Sequence, residues 1–147
     1  MGPVALAQDG PVYLDAQVLI YAVEGREPFA EQLMPLWQAV DRGELAGVTS
    51  ELTWLEVLVH PLRHHDRERE EQFRQALRHP HLVVRPITLE ALLEAARLRA
   101  LHPALRTPDA IHLATALGSG CATLLSNDQR LPRVPGLAVV SLAGQHS

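Results

Sequence analysis

The sequence contains no lysine; all 13 of its basic residues are arginine. That absence excludes the phosphotransfer and phosphatase chemistries in which a lysine holds the phosphoryl oxygens. It also excludes a nucleotide-binding loop of the Gly-Lys-Ser/Thr kind. Cysteine is almost missing. Cys121 stands alone, so no internal disulfide can form, which suits a reducing compartment. It falls in the run Cys121-Ala122-Thr123-Leu124-Leu125 and reads as a small buried hydrophobe. No stretch approaches the ~20 apolar residues of a membrane span. The opening residues lack the basic and apolar segments of a signal peptide. A soluble, cytoplasmic protein with no membrane contact is expected. Positive charge is not in excess either: the net charge is -4, which rules out bulk electrostatic binding of nucleic acid. An anionic polymer would have to be met by locally focused charge. No Gly-x-Ser-x-Gly elbow is present, against a serine hydrolase of that type.

What is present is an ordinary globular balance, 47% hydrophobic and 20% charged over 147 residues. This length fits one domain, residues 1–147 with an ordered core of about 12–141, and buries about two-thirds of the unfolded surface. Short apolar runs alternate with helical patterns. Strands are expected at Val12-Tyr13-Leu14, from Leu45 to Thr49, from Leu82 to Arg85 and on towards Ile87, from Ala122 to Ser126 and from Ala138 to Ser141. Helices are expected through Val18 to Tyr21 with a stop near Gly25, and from Pro28 to about Arg42. A third starts after Ser50, read as its cap, and ends at His60-Pro61. A polar one, from Arg67 to Arg78, reads as a solvated arm. An amphipathic one runs from Thr88 to about Leu101, and the last runs from a Thr107 cap to Leu117. Alternation of this kind predicts a three-layer α/β fold, a central mostly parallel sheet flanked by helices.

Of 17 acidic residues, four sit where an acid is costly or well aimed. Asp15 ends the first apolar strand, the end at which ligand sites gather in open parallel sheets; it also suits a helix cap. Glu56 falls among Leu52, Leu55 and Val59 on a helix, where an ionised group needs a partner or a metal unless that face is open to water. Asp109 opens the otherwise apolar helix Asp109-Ala110-Ile111-His112-Leu113-Ala114-Thr115-Ala116-Leu117, favoured there by the helix dipole. His112, one turn on, reads as a hydrogen-bonded core histidine. Asp128 follows the fourth strand in Leu124-Leu125-Ser126-Asn127-Asp128, a segment that also reads as a turn.

The ends of the first and fourth strands can meet at one edge of such a sheet. Four carboxylates gathered there repel: at ~6 Å and an effective dielectric of ~20 each pair costs roughly 3 kcal/mol. A hard divalent cation, Mg²⁺ or Mn²⁺, relieves this, since such ions prefer carboxylate and water oxygens. An acidic cage of this kind suits phosphodiester hydrolysis.

Taken in order, Tyr-Leu-Asp15, Glu56 on a helix, Pro-Asp109-Ala-Ile-His-Leu-Ala-Thr-Ala and Leu-Leu-Ser-Asn-Asp128 resemble the PIN-domain family, and within it the VapC-like toxins of toxin–antitoxin pairs. The resemblance spans about Val12 to Val140. It implies an Mg²⁺- or Mn²⁺-dependent endoribonuclease with Asp15, Glu56, Asp109 and Asp128 as catalytic metal ligands. Ser126 is implied as a supporting hydroxyl and Asn127 as shaping its loop. The resemblance further implies an RNA substrate, a homodimer and a small antitoxin that blocks the site. One position departs from the pattern: Gln17 stands where the family carries a small Asn or Ser.

Three other readings follow from single features. A zinc site from His60, His64 and His65 has a ligand-like spacing, but Pro61 is expected to break that helix. Arg130 and Arg133, just past Asp128, can touch an RNA backbone or serve as surface charges. A catalytically silent module of the same fold, binding RNA or a protein, is the alternative from another class. Loss of Mn²⁺ binding on Asp15→Asn separates it from an enzyme.

Overall fold

The computed structural model describes residues 10–128 and 130–142. Residues 1–9, where the signal-peptide reading falls, lie outside the described residues. The strands are β1 (Val12–Leu14), β2 (Gly47–Ser50), β3 (Leu82–Arg85), β4 (Thr123–Ser126) and β5 (Ala138–Ser141). The helices are α1 (Ala16–Glu24), α2 (Phe29–Asp41), α3 (Leu52–Arg63), α4 (Arg67–Leu77), α5 (Leu89–Leu101) and α6 (Thr107–Gly118). The sheet order is β3-β2-β1-β4-β5, and every pairing is parallel. The three-layer α/β reading therefore holds. Among the described residues no helix is long and apolar enough to cross a membrane.

Alternation along the strands divides the core in two. Val12, Leu14 and Leu125 pack with side chains of α1 to α4, among them Leu19, Leu33, Val57 and Phe73. Tyr13 and Leu124 point the other way and pack with α5 and α6, against Leu98, Ala110 and Leu113. A sheet covered on both faces favours apolar residues on both sides of its central strands, which is why β1 reads as an unbroken apolar run and β4 carries Leu124 and Leu125 at its centre.

The order of the strands makes the site. From β1 the chain builds outward through β2 to β3, then returns to place β4 on the other side of β1 and β5 beyond it. Connections leave β1 and β4 in opposite directions, and a crevice opens at the carboxyl ends of these neighbours. Their register pairs Leu14 with Leu125, so Asp15 emerges level with Ser126.

Several expected boundaries shift, each for a local reason. α3 does not end at His60-Pro61 but continues to Arg63 with Pro61 inside and buried. Near the end of a helix a proline removes one backbone bond, and the amides of His64 and Asp66 still reach the carbonyls of His60 and Pro61. α4 is not a solvated arm, because it buries Phe73 and Leu77 against the first core. α5 buries little more than Ala95 and Leu98, and leaves Leu89, Leu92, Leu93 and Leu101 exposed. Arg106, not Thr107, is the N-cap of α6, since the Thr107 hydroxyl is taken by a hydrogen bond from Arg99. Ser50 ends β2 instead of capping α3, although its hydroxyl still accepts the Leu52 amide.

Candidate active site

Asp15 is fixed from both sides by backbone. Its amide donates to the Leu125 carbonyl of β4 at 3.3 Å, and its carboxylate caps α1 by accepting the Val18 amide at 3.1 Å. The cap reading and the ligand reading are thus compatible. Crowding by protein raises the Asp15 pKa, and the Glu56 charge adds to this; a hydrogen bond from Ser126, the nearby His112 and the Val18 amide oppose it. The Ser126 hydroxyl also accepts the Asp128 amide at 3.0 Å, so one side chain ties the first acid to the last.

Glu56 is held differently from what its sequence position suggests. The face of α3 that turns inward carries Thr53, Val57, Leu58 and Pro61. Leu55 and Val59, expected to flank Glu56 in a buried stripe, are 62% and 41% exposed. What holds Glu56 is His112, which reaches it from α6 at the edge of the sheet with Nε2 2.6 Å from Oε1. The other ring nitrogen, Nδ1, lies 2.6 Å from the Tyr13 hydroxyl. A carboxylate only accepts, so Nε2 donates to Glu56; with the ring neutral, Nδ1 accepts from the Tyr13 hydroxyl. Burial raises the Tyr13 pKa, which keeps that proton in place. His112 is buried and fully bonded, as its place in an apolar helix predicts. The relay links β1, α6 and α3, the three elements that carry or adjoin Asp15, Asp109 and Glu56.

Asp109 and Asp128 are paired with arginines. Arg106 Nε donates to Asp109 Oδ2 at 3.1 Å. Arg130 binds Asp128 with its backbone amide at 2.9 Å and its guanidinium at 3.0 Å and 3.3 Å. The Arg130 hydrogen bonds hold the Asp128 carboxyl below the usual carboxylate range.

All four acids, with Gln17, Ser126 and Asn127, line one open cavity of about 610 Å³. Among the described residues no three His, Cys, Asp or Glu side chains already stand close enough together to hold a metal. The donor set nevertheless fits a hard cation: every candidate ligand is an oxygen. Asn127 adds a further one, since its Nδ2 donates to the Tyr21 hydroxyl at 2.7 Å while its buried Oδ1 finds no hydrogen-bond partner among the described residues. The His60–His64–His65 group lies elsewhere, on exposed positions at the end of α3. His60 and His64 have ring centroids 4.3 Å apart, but no third ligand joins them among the described residues.

A comparison with protein families matches residues 12–137 to the PIN domain. The chain belongs to the PIN-domain family. Among solved structures, this PIN domain is similar to a toxin–antitoxin complex from Klebsiella pneumoniae, with 26% identity over 86% of this chain and 95% of that one, at a TM-score of 0.67. It shares its fold with VapBC2 from Rickettsia felis bound to a promoter DNA fragment (13% identity, 88% and 97% covered, TM-score 0.70). It does so too with DNA-bound VapBC from Salmonella typhimurium (17% identity, 90% and 98% covered, TM-score 0.68). A comparison with curated proteins finds no match.

Three side chains in or behind the PIN-domain cavity escape a reading of the sequence. Arg106 was hidden by the cap assigned to Thr107, although its spacing of three residues from Asp109 was a signal. Tyr13 looks like any strand aromatic until His112 is seen to meet it. Tyr21 looks like a core residue of α1, yet its hydroxyl receives Asn127. Arg133, in contrast, is exposed outside the acid cavity and lines a neighbouring one beside Asp128.

Proposed function

We propose that this PIN domain is a metal-dependent endoribonuclease, the toxin of a VapBC-type pair, acting in the cytoplasm under the control of an antitoxin. The observation that carries this reading is the arrival of Asp15, Glu56, Asp109 and Asp128, from four separate elements, at one cavity over the switch point of the sheet. The likeness to a toxin–antitoxin complex supports the toxin role.

Asp15, Glu56, Asp109 and Asp128 would hold Mg²⁺ or Mn²⁺, directly or through water. A cation held there supplies activation of water and neutralisation of phosphate charge. The protein's own groups orient the cage. Ser126 fixes Asp15 against Asp128, and Tyr13 and His112 fix Glu56. The reaction is hydrolysis of an RNA phosphodiester, water attacking phosphorus in line with the departing oxygen. Gln17 lines the same cavity and takes the position of the shorter family side chain. The exposed leucines of α3 and α5 (Leu55, Leu62, Leu89, Leu92 and Leu93) give the chain apolar surface to cover, which supports a homodimer and a bound antitoxin.

The test is cleavage of single-stranded RNA by the purified chain. EDTA stops it, and Mn²⁺ or Mg²⁺ restores it. Cutting that persists in EDTA rules out a metal-dependent enzyme. A protein that binds Mn²⁺ and RNA but never cuts is the silent module of the same fold.

A further inference from the structure

Asp109 and Asp128 differ from the other two acids in reaching the cavity already neutralised. Each is bonded to an arginine a few residues away, Arg106 and Arg130. The arginine side chains are 66% and 78% exposed, against 21% for both of their acids. Exposed ion pairs hold weakly, so these arginines are displaced at little cost once their carboxylates engage a divalent cation.

Their position gives them somewhere to go. Arg106, Asp109, Asp128 and Arg130 line the acid cavity and also a second cavity, of about 410 Å³, on its far side. Leu101, His102, Leu131 and Pro132 line that second cavity and not the acid cavity. The two spaces therefore share a wall made of two acids and two arginines. Arg106 lies three residues before Asp109, at the N-cap of α6, and Arg130 lies two residues after Asp128. On such short tethers a freed guanidinium stays at the wall. It never loses its charge, and its planar fork matches phosphate oxygens. In a chain with net charge -4 and no lysine, such focused positive charge is what an RNA backbone needs.

We propose that Arg106 and Arg130 are exchangeable counter-ions. Each neutralises its carboxylate in the metal-free chain, and each turns to RNA phosphates beside the scissile one when that carboxylate binds a cation. The RNA then runs from the acid cavity across the shared wall into the second cavity. This rests on the nuclease reading and adds the path of the substrate. Its signature is a pair of opposite effects: loss of either arginine strengthens metal binding and weakens RNA binding.

The experiment uses the full chain and the variants Arg106→Ala, Arg130→Ala, Arg130→Lys and Arg133→Ala. Arg133→Ala is the control for removing one nearby positive charge that no acid holds among the described residues. Calorimetric titration with Mn²⁺, without RNA, is expected to show at least threefold tighter binding for Arg106→Ala and Arg130→Ala than for Arg133→Ala. Cleavage of a 12-nucleotide RNA at saturating Mn²⁺ is expected to show KM raised about tenfold with kcat within about threefold. The salt dependence of kcat/KM should lose a slope of about 0.7 per arginine. Arg130→Lys should keep the wild-type Mn²⁺ affinity and an intermediate KM, since the charge remains and the fork does not. Mn²⁺ affinities equal to that of Arg133→Ala overturn the counter-ion role. An unchanged KM and salt slope overturn the phosphate role. A wild-type chain that binds Mn²⁺ but cuts no RNA overturns the nuclease reading and the RNA half with it, while the titration still judges the counter-ion half.

Discussion

Asp15 and Glu56 are held by neutral groups, a serine, a backbone amide and a histidine–tyrosine relay, whereas Asp109 and Asp128 across the same cavity are held by arginines. The difference separates two physical roles. A carboxylate held without an arginine has no fixed counter-ion to offset the charge of its neighbours, which favours a cation in the cavity. A carboxylate paired with arginine has its charge offset in advance and releases that partner only by exchange. Under the proposed function, one half of the cavity would create the need for metal and the other would regulate access to it.

Asparagine substitutions on the two sides test this contrast most severely. Asp15→Asn and Asp109→Asn are each expected to lower RNA cleavage by at least about a hundredfold, measured in matched preparations, since even supporting groups of a metal site are worth ~10–100-fold. Their stabilities should part company. Without metal, Asp15→Asn relieves a crowded charge and raises Tm by about 3 °C, the equivalent of roughly 1 kcal/mol. Asp109→Asn leaves Arg106 without its partner and brings no rise. Equal shifts in thermal melts would erase the distinction between the halves.

A smaller effect is expected one step away from the metal. His112→Ala removes the link between Tyr13 and Glu56 and strands two partly buried groups. It should cost roughly 2 kcal/mol, about 6 °C in Tm. The cost in Mn²⁺ affinity, read by calorimetry, should lie within ~10–100-fold. Tyr13→Phe keeps the ring's packing and breaks only one end of the relay, so its loss should be the lesser of the two. A His112→Ala chain with unaltered Mn²⁺ affinity would show that Glu56 needs no positioning.

The smallest effect lies outside the cavity. Burial pushes the Cys121 thiol up to about 11, and the residue is 3% exposed, so alkylation by iodoacetamide at pH 8 should be slow in the native chain and fast in denaturant. Rapid native labelling would mean that the α6 side of the sheet opens more readily than its packing suggests.

How much of this was legible in the sequence depends on whether the deciding contact is local. Strands β1 and β5 were readable to the residue, β1 because two-sided burial writes itself as consecutive apolar residues and β5 because its Val139-Val140 pair is β-branched. The α/β layering followed from alternation. The four acids were placed at one site by the logic of strand and helix ends, and Ser126, Asn127 and Gln17 by the family resemblance; all seven line one cavity. Glu56 was chosen for a reason that fails, since the stripe around it faces water and its true anchor is 56 residues away in α6. The Arg106 pairing was missed because a single side-chain hydrogen bond from Arg99 moved the helix cap by one residue. Pro61 misled because a rule about helix interiors was applied near an end. Each failure came from a partner that sequence spacing does not display.

The central position of β4 has one last consequence. The strand completes the site, yet it is made after β1, β2 and β3, and it must pair with the free edge of β1 before β5 can be added to it. A growing polypeptide on the ribosome therefore holds Asp15, Glu56 and Asp109 without Ser126, Asn127 or Asp128 to close them into a working set. The cavity that gathers the four acids is therefore closed in one step, when β4 pairs with β1, and not by degrees.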